Sequence, residues 1–296
     1  MPMLSDFFKE TLEPIIGGWI VDGIMENLAA MFASVQGQTV EIQSALTQSA
    51  ADFDGGTLWH TAITVAGDVM TPIAALILAG VMGVELIGWA QQRNRLQDAA
   101  DVSWMLFEFL VKLCIGVVLF FNADKITNGI FQLGAFIVAQ VSGGGGGSSF
   151  GSAADLAAMR SNLESGRNIG YLMATLVMAL LGRAVIWAIS ILVEVIVIGR
   201  VFKICLYASM GAVPYATLMQ SKISDIGVNY IKNLFALAFQ GFFMFVIVVM
   251  YQALTRNVAV SSEPNEAIFT LLKYSIVFVM ALFNSSALAK SIFNAH

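Results

Sequence analysis

Between Leu234 and Leu254 the chain carries no charged side chain. That run is as long as an α-helix needs to cross the hydrocarbon of a bilayer, about 20 residues. Five more apolar stretches follow the same plan: Val69–Ala90, Trp104–Phe121, Tyr171–Ile198, Val201–Met219 and Ala267–Ala289. Charged residues make up only 12% of the 296 positions and hydrophobic ones 58%, with a mean hydropathy of +0.79. A soluble domain carries about 25% charged residues, so this much apolar surface points to lipid as the natural solvent. The sequence therefore predicts an all-α polytopic membrane protein. It has six transmembrane helices, or seven if the shorter segment Ile130–Val141 crosses rather than re-enters, and an amphipathic N-terminal helical region. A net charge of -5 excludes a generally basic nucleic-acid binder. Cys114 and Cys205 lie in apolar stretches and read as small membrane hydrophobes rather than a disulfide pair.

Four zones follow from composition. Residues 1–57 form an amphipathic and polar N-terminal helical region. Leu12, Ile16, Trp19, Ile20, Ile24, Leu28, Phe32 and Val35 recur at helical spacing, while Asp22 and Glu26 stack on another face. Few Lys or Arg flank them, so packing on protein competes with lying in the membrane interface. No basic n-region precedes this run, and targeting is expected from the spans themselves. Gln36–Ala51 reads as a solvated helix, and Asp54-Gly55-Gly56 as a turn. Residues 58–141 hold the first membrane helices, with Pro72 near the start of one. Trp89 and Trp104 flank the charged connector Gln91–Ser103 as interface aromatics. Residues 142–168 are a hydrophilic loop whose Gly143–Gly147 tract is a flexible linker; no Gly-Lys-Ser/Thr follows to make it a phosphate cradle. Ala153–Ser165 is expected as a short exposed helix with Arg160 and Glu164 paired at i,i+4. Residues 169–296 carry the second group of four membrane helices.

Lys and Arg set orientation. With seven crossings and the N-terminus outside, Arg93, Arg95, Arg160, Arg167, Lys222, Lys232 and Lys290 fall inside. Lys9, Lys125, Arg200, Lys203 and Arg256 fall outside, so the balance favours N-out and C-in.

No catalytic, cofactor-binding or metal-binding constellation is legible. His60 and His296 are far apart, and HExxH, CxxC, GxSxG and a Walker A lysine are missing from the sequence. The informative residues are charges inside apolar runs: Glu85, Lys112, Arg183, Glu194 and Lys273. A charge at the bilayer centre costs about 2.5–3.5 kcal/mol on insertion scales, so each is expected to meet a partner, a watery passage or an interface. Arg183 and Glu194 lie three turns apart on one helix face, roughly 16 Å in rise. They read either as a passage-lining stripe or as structural pairs to neighbouring helices. Gln240, mid-span, is expected to seek an interhelical hydrogen bond. Pro214 marks a helix break that either lines a passage or merely kinks. Ala75, Ala79 and Gly83 repeat at i+4, the spacing that lets helix backbones approach closely in lipid.

One stretch is more specific. Gly211-Ala212-Val213-Pro214-Tyr215-Ala216-Thr217 closes a span, and after a short polar loop Gly227–Asn233 leads into Leu234-Phe235-Ala236-Leu237-Ala238-Phe239-Gln240-Gly241. This segment resembles the TrbL-like polytopic membrane subunits of conjugative type IV secretion systems, particularly those of Gram-positive elements. The match covers about a fifth of the chain, and the rest is similar in plan; the soluble C-terminal extension of some relatives is missing from this sequence. The resemblance implies a channel subunit in the bacterial inner membrane, with no cofactor, passing DNA or protein. It also implies a homo-oligomer that assembles with other membrane subunits and cytoplasmic ATPases. Two other classes compete with it: a secondary transporter of a small solute, which needs internal repeats and paired broken helices, and a non-conducting membrane scaffold of a mobile element.

Overall fold

A computed structural model describes residues 13–49, 51–93, 99–142, 153–165, 168–220, 222–256, 258 and 263–295. Among them there is no strand, and the protein is all-α. The helices are α1 (Glu13–Thr47), α2 (Thr57–Val65), α3 (Thr71–Arg93), α4 (Ala99–Phe121), α5 (Ala123–Ser142), α6 (Ala153–Glu164), α7 (Ile169–Met210), α8 (Ala212–Thr217), α9 (Ser224–Arg256) and α10 (Pro264–Ile292). Six helices are long and apolar enough to cross a membrane: Ile15–Thr47, Thr57–Gln91, Val102–Phe121, Ile169–Met210, Ser224–Arg256 and Pro264–Ile292. The Gly143–Gly147 tract, Arg95 and His296 lie outside the described residues.

Several boundaries differ from the sequence expectation, each for a local reason. Tyr171–Ile198 and Val201–Met219 are not two spans: one helix runs unbroken to Met210, through Gly199 and Arg200. A charged residue interrupts hydropathy without interrupting backbone hydrogen bonds. The helix stops at Met210 because its carbonyl would take the amide of residue 214, and Pro214 has none. Pro214 then sits in the first turn of α8, where a missing N–H costs nothing. Gln36–Ala51 is not a separate solvated helix: α1 continues to Thr47 and buries Gln38, Thr39, Ile42 and Leu46. Ile130–Val141 belongs to the 20-residue α5, which is not among the six span-length apolar helices. Pro72 acts upstream of itself. It cannot donate to Asp68, and the chain answers with a π turn, Ala66–Met70, in which the Thr71 hydroxyl donates to the Ala66 carbonyl at 2.9 Å.

The expected turn is present as a short 3-10 segment, Phe53–Gly56. Gly55 and Gly56 take φ of 65° and 79°, the left-handed region that glycine enters at little cost. A Cβ on Gly56 would also stand 2.9 Å from the Ala51 carbonyl oxygen.

The chain divides into two compact units. The first draws on Met1–Ala45, Val141–Val197 and Met244–Asn284. In it α1 and the start of α7 run parallel, since their contacts advance together along both helices. Gly23 lies against Leu176, Gly182 against Met31, and Ser34 against Ser190. Ile24, Leu28, Met31 and Val35 are fully buried along α1, the face that the helical spacing marks as apolar. Tyr251 stacks on Phe278 at 4.2 Å and shares a 2.7 Å hydroxyl bond with Ser275. In lipid such interhelical bonds contribute about 0.6 kcal/mol each. The short helix α6 forms with the expected Arg160–Glu164 pair at 2.8 Å, but it is not wholly exposed: Met159 and Leu163 are buried, and Arg160 also pairs with Asp22 of α1 at 2.5 Å.

The second unit draws on Leu46–Gln140, Ile198–Phe243 and Ser285–His296. Its core gathers Trp59, Phe131, Ile204, Tyr215, Tyr230 and Leu234. Here the glycines of the distinctive segment explain themselves. Gly227 packs on the Pro214 carbonyl, and Gly211 lies under the Tyr230 hydroxyl, which donates to the Tyr207 carbonyl at 2.7 Å. Gly134 of α5 lies against the Ala238 backbone of α9, the close helix approach that small residues permit.

A charged cavity on the α3–α4 hairpin

Lys112 is the centre of a charged cluster on two span-length helices. It stands on α4, one turn after Glu108 and opposite Glu85 of α3. Its ammonium is 3.2 Å from Glu108 and 3.6 Å from Glu85. The two carboxylates and one ammonium sit on largely apolar helices, and the ammonium stabilises both carboxylates against their mutual repulsion and the cost of leaving water. The side chains are partly exposed, 26% for Glu85 and 46% for Lys112, which keeps each pair in the range of about 0.2–1 kcal/mol. They line a cavity of about 690 Å³ with Gln220 and Lys222, and with Trp89 at its edge. The lining offers two acids, two cations and two amides, Gln91 and Gln220. It can hold water and polar or charged groups. It contains no nucleophile with an adjacent base, and no group of three or more His, Cys, Asp or Glu able to hold a metal occurs among the described residues.

Arg183 donates to the Asn27 amide oxygen of α1 at 3.1 Å. Seven residues further along each helix, Ser190 meets Ser34 at 3.3 Å and accepts from Gln38 at 2.5 Å. A polar ladder thus binds α1 to α7 at seven-residue spacing, the interval that keeps one seam in register between two packed helices. Glu194 lies beyond the ladder, exposed, with no hydrogen bond or ion pair among the described residues. Lys273 is likewise exposed. Gln240 is 4% exposed and donates to the Ser285 hydroxyl at 3.2 Å, while its Oε1 accepts from no described donor. Beside it, the guanidinium of buried Arg200 fills the space over Gly241.

Ala75 and Ala79 are exposed and Gly83 half-buried, and a Cβ built on Gly83 meets nothing within 4 Å. α3 packs through Ala74, Ile77 and Leu78 instead, against Phe120, Ala212 and Ala216. The small-residue stripe therefore faces away from the described residues of its own unit. Sequence reasoning missed Glu108, Asn27, Gln38 and Arg200. Glu108 was signalled by its i,i+4 spacing to Lys112, and Asn27 and Ser34 by a seven-residue interval matching Arg183 and Ser190. Arg200 had no such signal.

Residues 35–212, more than half of the chain, match the family described as TrbL/VirB6 plasmid conjugal transfer like protein. No curated protein and no solved structure matches the chain.

Proposed function

The chain belongs to the TrbL/VirB6 plasmid conjugal transfer like family, and from that premise we propose that it is a membrane-channel subunit of a conjugative type IV secretion system, helping pass DNA or protein across the bacterial inner membrane. The observation that carries this reading is the Glu85–Lys112–Glu108 cluster lining a polar cavity on span-length apolar helices. Ionisable groups kept in such helices at this cost mark polar pathways or subunit contacts. The exposed Ala75, Ala79 and Gly83 stripe suits close approach by a second copy, in keeping with a homo-oligomer that also engages other secretion-system membrane subunits and cytoplasmic ATPases. Glu194, unpaired within the described chain, is the proposed passage- or partner-facing charge. Arg183 and Gln240 act as interhelical polar contacts and Pro214 as the helix break. The role needs no cofactor and no catalysis.

A solute transporter built from repeated halves would pair two similar broken helices. The two prolines here do different work, Pro72 behind a π turn and Pro214 opening a short helix, which favours the conduit. Deleting the gene should abolish conjugative DNA transfer and leave solute uptake unchanged. Persistent transfer in the deletion strain would remove the proposal.

α1 and the start of α7 run parallel, and Arg160, just before α7, pairs with Asp22 near the start of α1. Two parallel spans need an odd number of crossings between them, and α9 and α10 follow α7 in turn. The proposed total is therefore odd, as in the seven-crossing expectation, and the termini lie on opposite faces of the membrane. In a chain lacking Cys114 and Cys205, single cysteines at positions 9 and 296 should differ towards a membrane-impermeant maleimide added outside intact cells, one reacting and the other resisting. Matching outcomes at the two positions would remove the odd count.

A further inference from the structure

Within the second unit, a cavity of about 200 Å³ lies between the end of α7, the start of α9 and the end of α10. Lys203 and Lys290 line it, with Tyr207, Asn233, Gln240 and Ser286. No acidic residue is among its lining residues. Neither lysine has an ion-pair partner among the described residues, and both are exposed at its mouth. Behind it, Arg200 on the same helix as Lys203 is 8% exposed, with its Nε unpartnered. Two cations thus line the cavity without a described counter-ion, beside the buried, unpartnered Gln240 Oε1, and a third, Arg200, lies over the neighbouring Gly241. Lone cations on span-length helices are costly, and basic pockets between membrane helices suit the phosphate of lipid headgroups. Gln240 Oε1 adds a requirement: it accepts a hydrogen bond, so the occupant must also bring a donor. A phosphodiester that carries hydroxyl groups meets both demands.

We propose that this cavity binds the headgroup of an anionic phospholipid of the phosphatidylglycerol type, its phosphate held by Lys203 and Lys290 and a glycerol hydroxyl donated to Gln240. Arg200 supplies background positive charge. The lipid ties the ends of α7 and α10 to α9, and the site is independent of what the protein conducts.

The test uses the full chain purified in neutral detergent, with bound lipid measured by native mass spectrometry. Titrants are phosphatidylglycerol, phosphatidic acid, phosphatidylcholine and inorganic phosphate. The wild type should prefer phosphatidylglycerol over phosphatidylcholine, and Lys203→Gln and Lys290→Gln should each weaken that binding about fivefold. Lys125→Gln, an exposed cation of the same unit outside the cavity, should leave it unchanged. Gln240→Leu should erase the advantage of phosphatidylglycerol over phosphatidic acid, which has the phosphate but not the glycerol hydroxyls. Equal binding of phosphatidylglycerol and phosphatidylcholine would overturn the proposal, as would an equal loss in Lys125→Gln. Displacement of the lipid by millimolar inorganic phosphate would overturn it too, by assigning the cavity to a free anion. An unchanged preference in Gln240→Leu would overturn the assignment of the headgroup.

Discussion

Lys112→Met is expected to lower conjugative transfer by up to about tenfold, the effect of roughly 1.4 kcal/mol on an assembly equilibrium. Met is unbranched like Lys and one atom shorter, so it keeps most of the apolar stem and removes the charge. It leaves Glu85 and Glu108 with no cation between them, on α3 and α4 respectively. Truncating one member of a charge cluster costs more than the cluster is worth, because the remaining charges keep their desolvation cost. The cluster's partial exposure limits that cost to the lower end of the range. The charge swap Glu85→Lys with Lys112→Glu keeps one cation among two carboxylates and should recover much of the lost transfer. A purely steric role for the Lys112 stem predicts the reverse, a tolerated Lys112→Met and no recovery in the swap. Protein level in the membrane, measured alongside, separates lost insertion from lost conduction. Wild-type transfer by Lys112→Met would remove the cluster from the functional account.

Gly227→Ala is expected to be the most destabilising single-methyl change in the second unit. Its Cβ would stand 2.6 Å from the Pro214 carbonyl oxygen and 2.5 Å from Leu218 Cγ. Leu218 can rotate away, whereas the Pro214 oxygen is backbone and moves only with α8. Overpacking of this kind costs about 1–3 kcal/mol, which should lower the unfolding midpoint of the purified protein by several degrees. Gly80→Ala is the internal control. Nothing lies within 4 Å of a Cβ at that position, so the exchange should be neutral or stabilising by up to about 1 kcal/mol, the helix-propensity difference. A Gly227→Ala midpoint equal to that of Gly80→Ala would show that α8 does not rest on α9 as described.

These two sites illustrate different depths of legibility. Gly211, Pro214 and Gly227 stand out in the sequence as a small-residue and proline pattern, but only the fold shows that Gly227 is the surface on which the Pro214 turn rests. Lys112 is conspicuous as a cation in an apolar run, yet its partner Glu85 lies 27 positions away and on a different helix. Arg200 was misleading in sequence: it looked like the boundary between two spans and is instead a buried residue in the middle of one helix.

The sequence by itself determined the class of the molecule and its local events. Apolar runs of span length, the Arg160–Glu164 pair, the Gly55-Gly56 turn and the helix stop before Pro214 all depend on interactions within about four residues along the chain. Such interactions are written in spacing and composition. The tertiary structure alone decided which helix lies beside which: α1 against α7 through Asn27, Ser34 and Gln38, and α5 against α9 at Gly134. It also turned the Ala75, Ala79 and Gly83 stripe away from the described residues of its own unit. Lipid solvates every apolar face of a membrane helix alike, so hydropathy does not choose a neighbour. That choice falls to shape and to a few polar groups, which find one another only once the helices are packed.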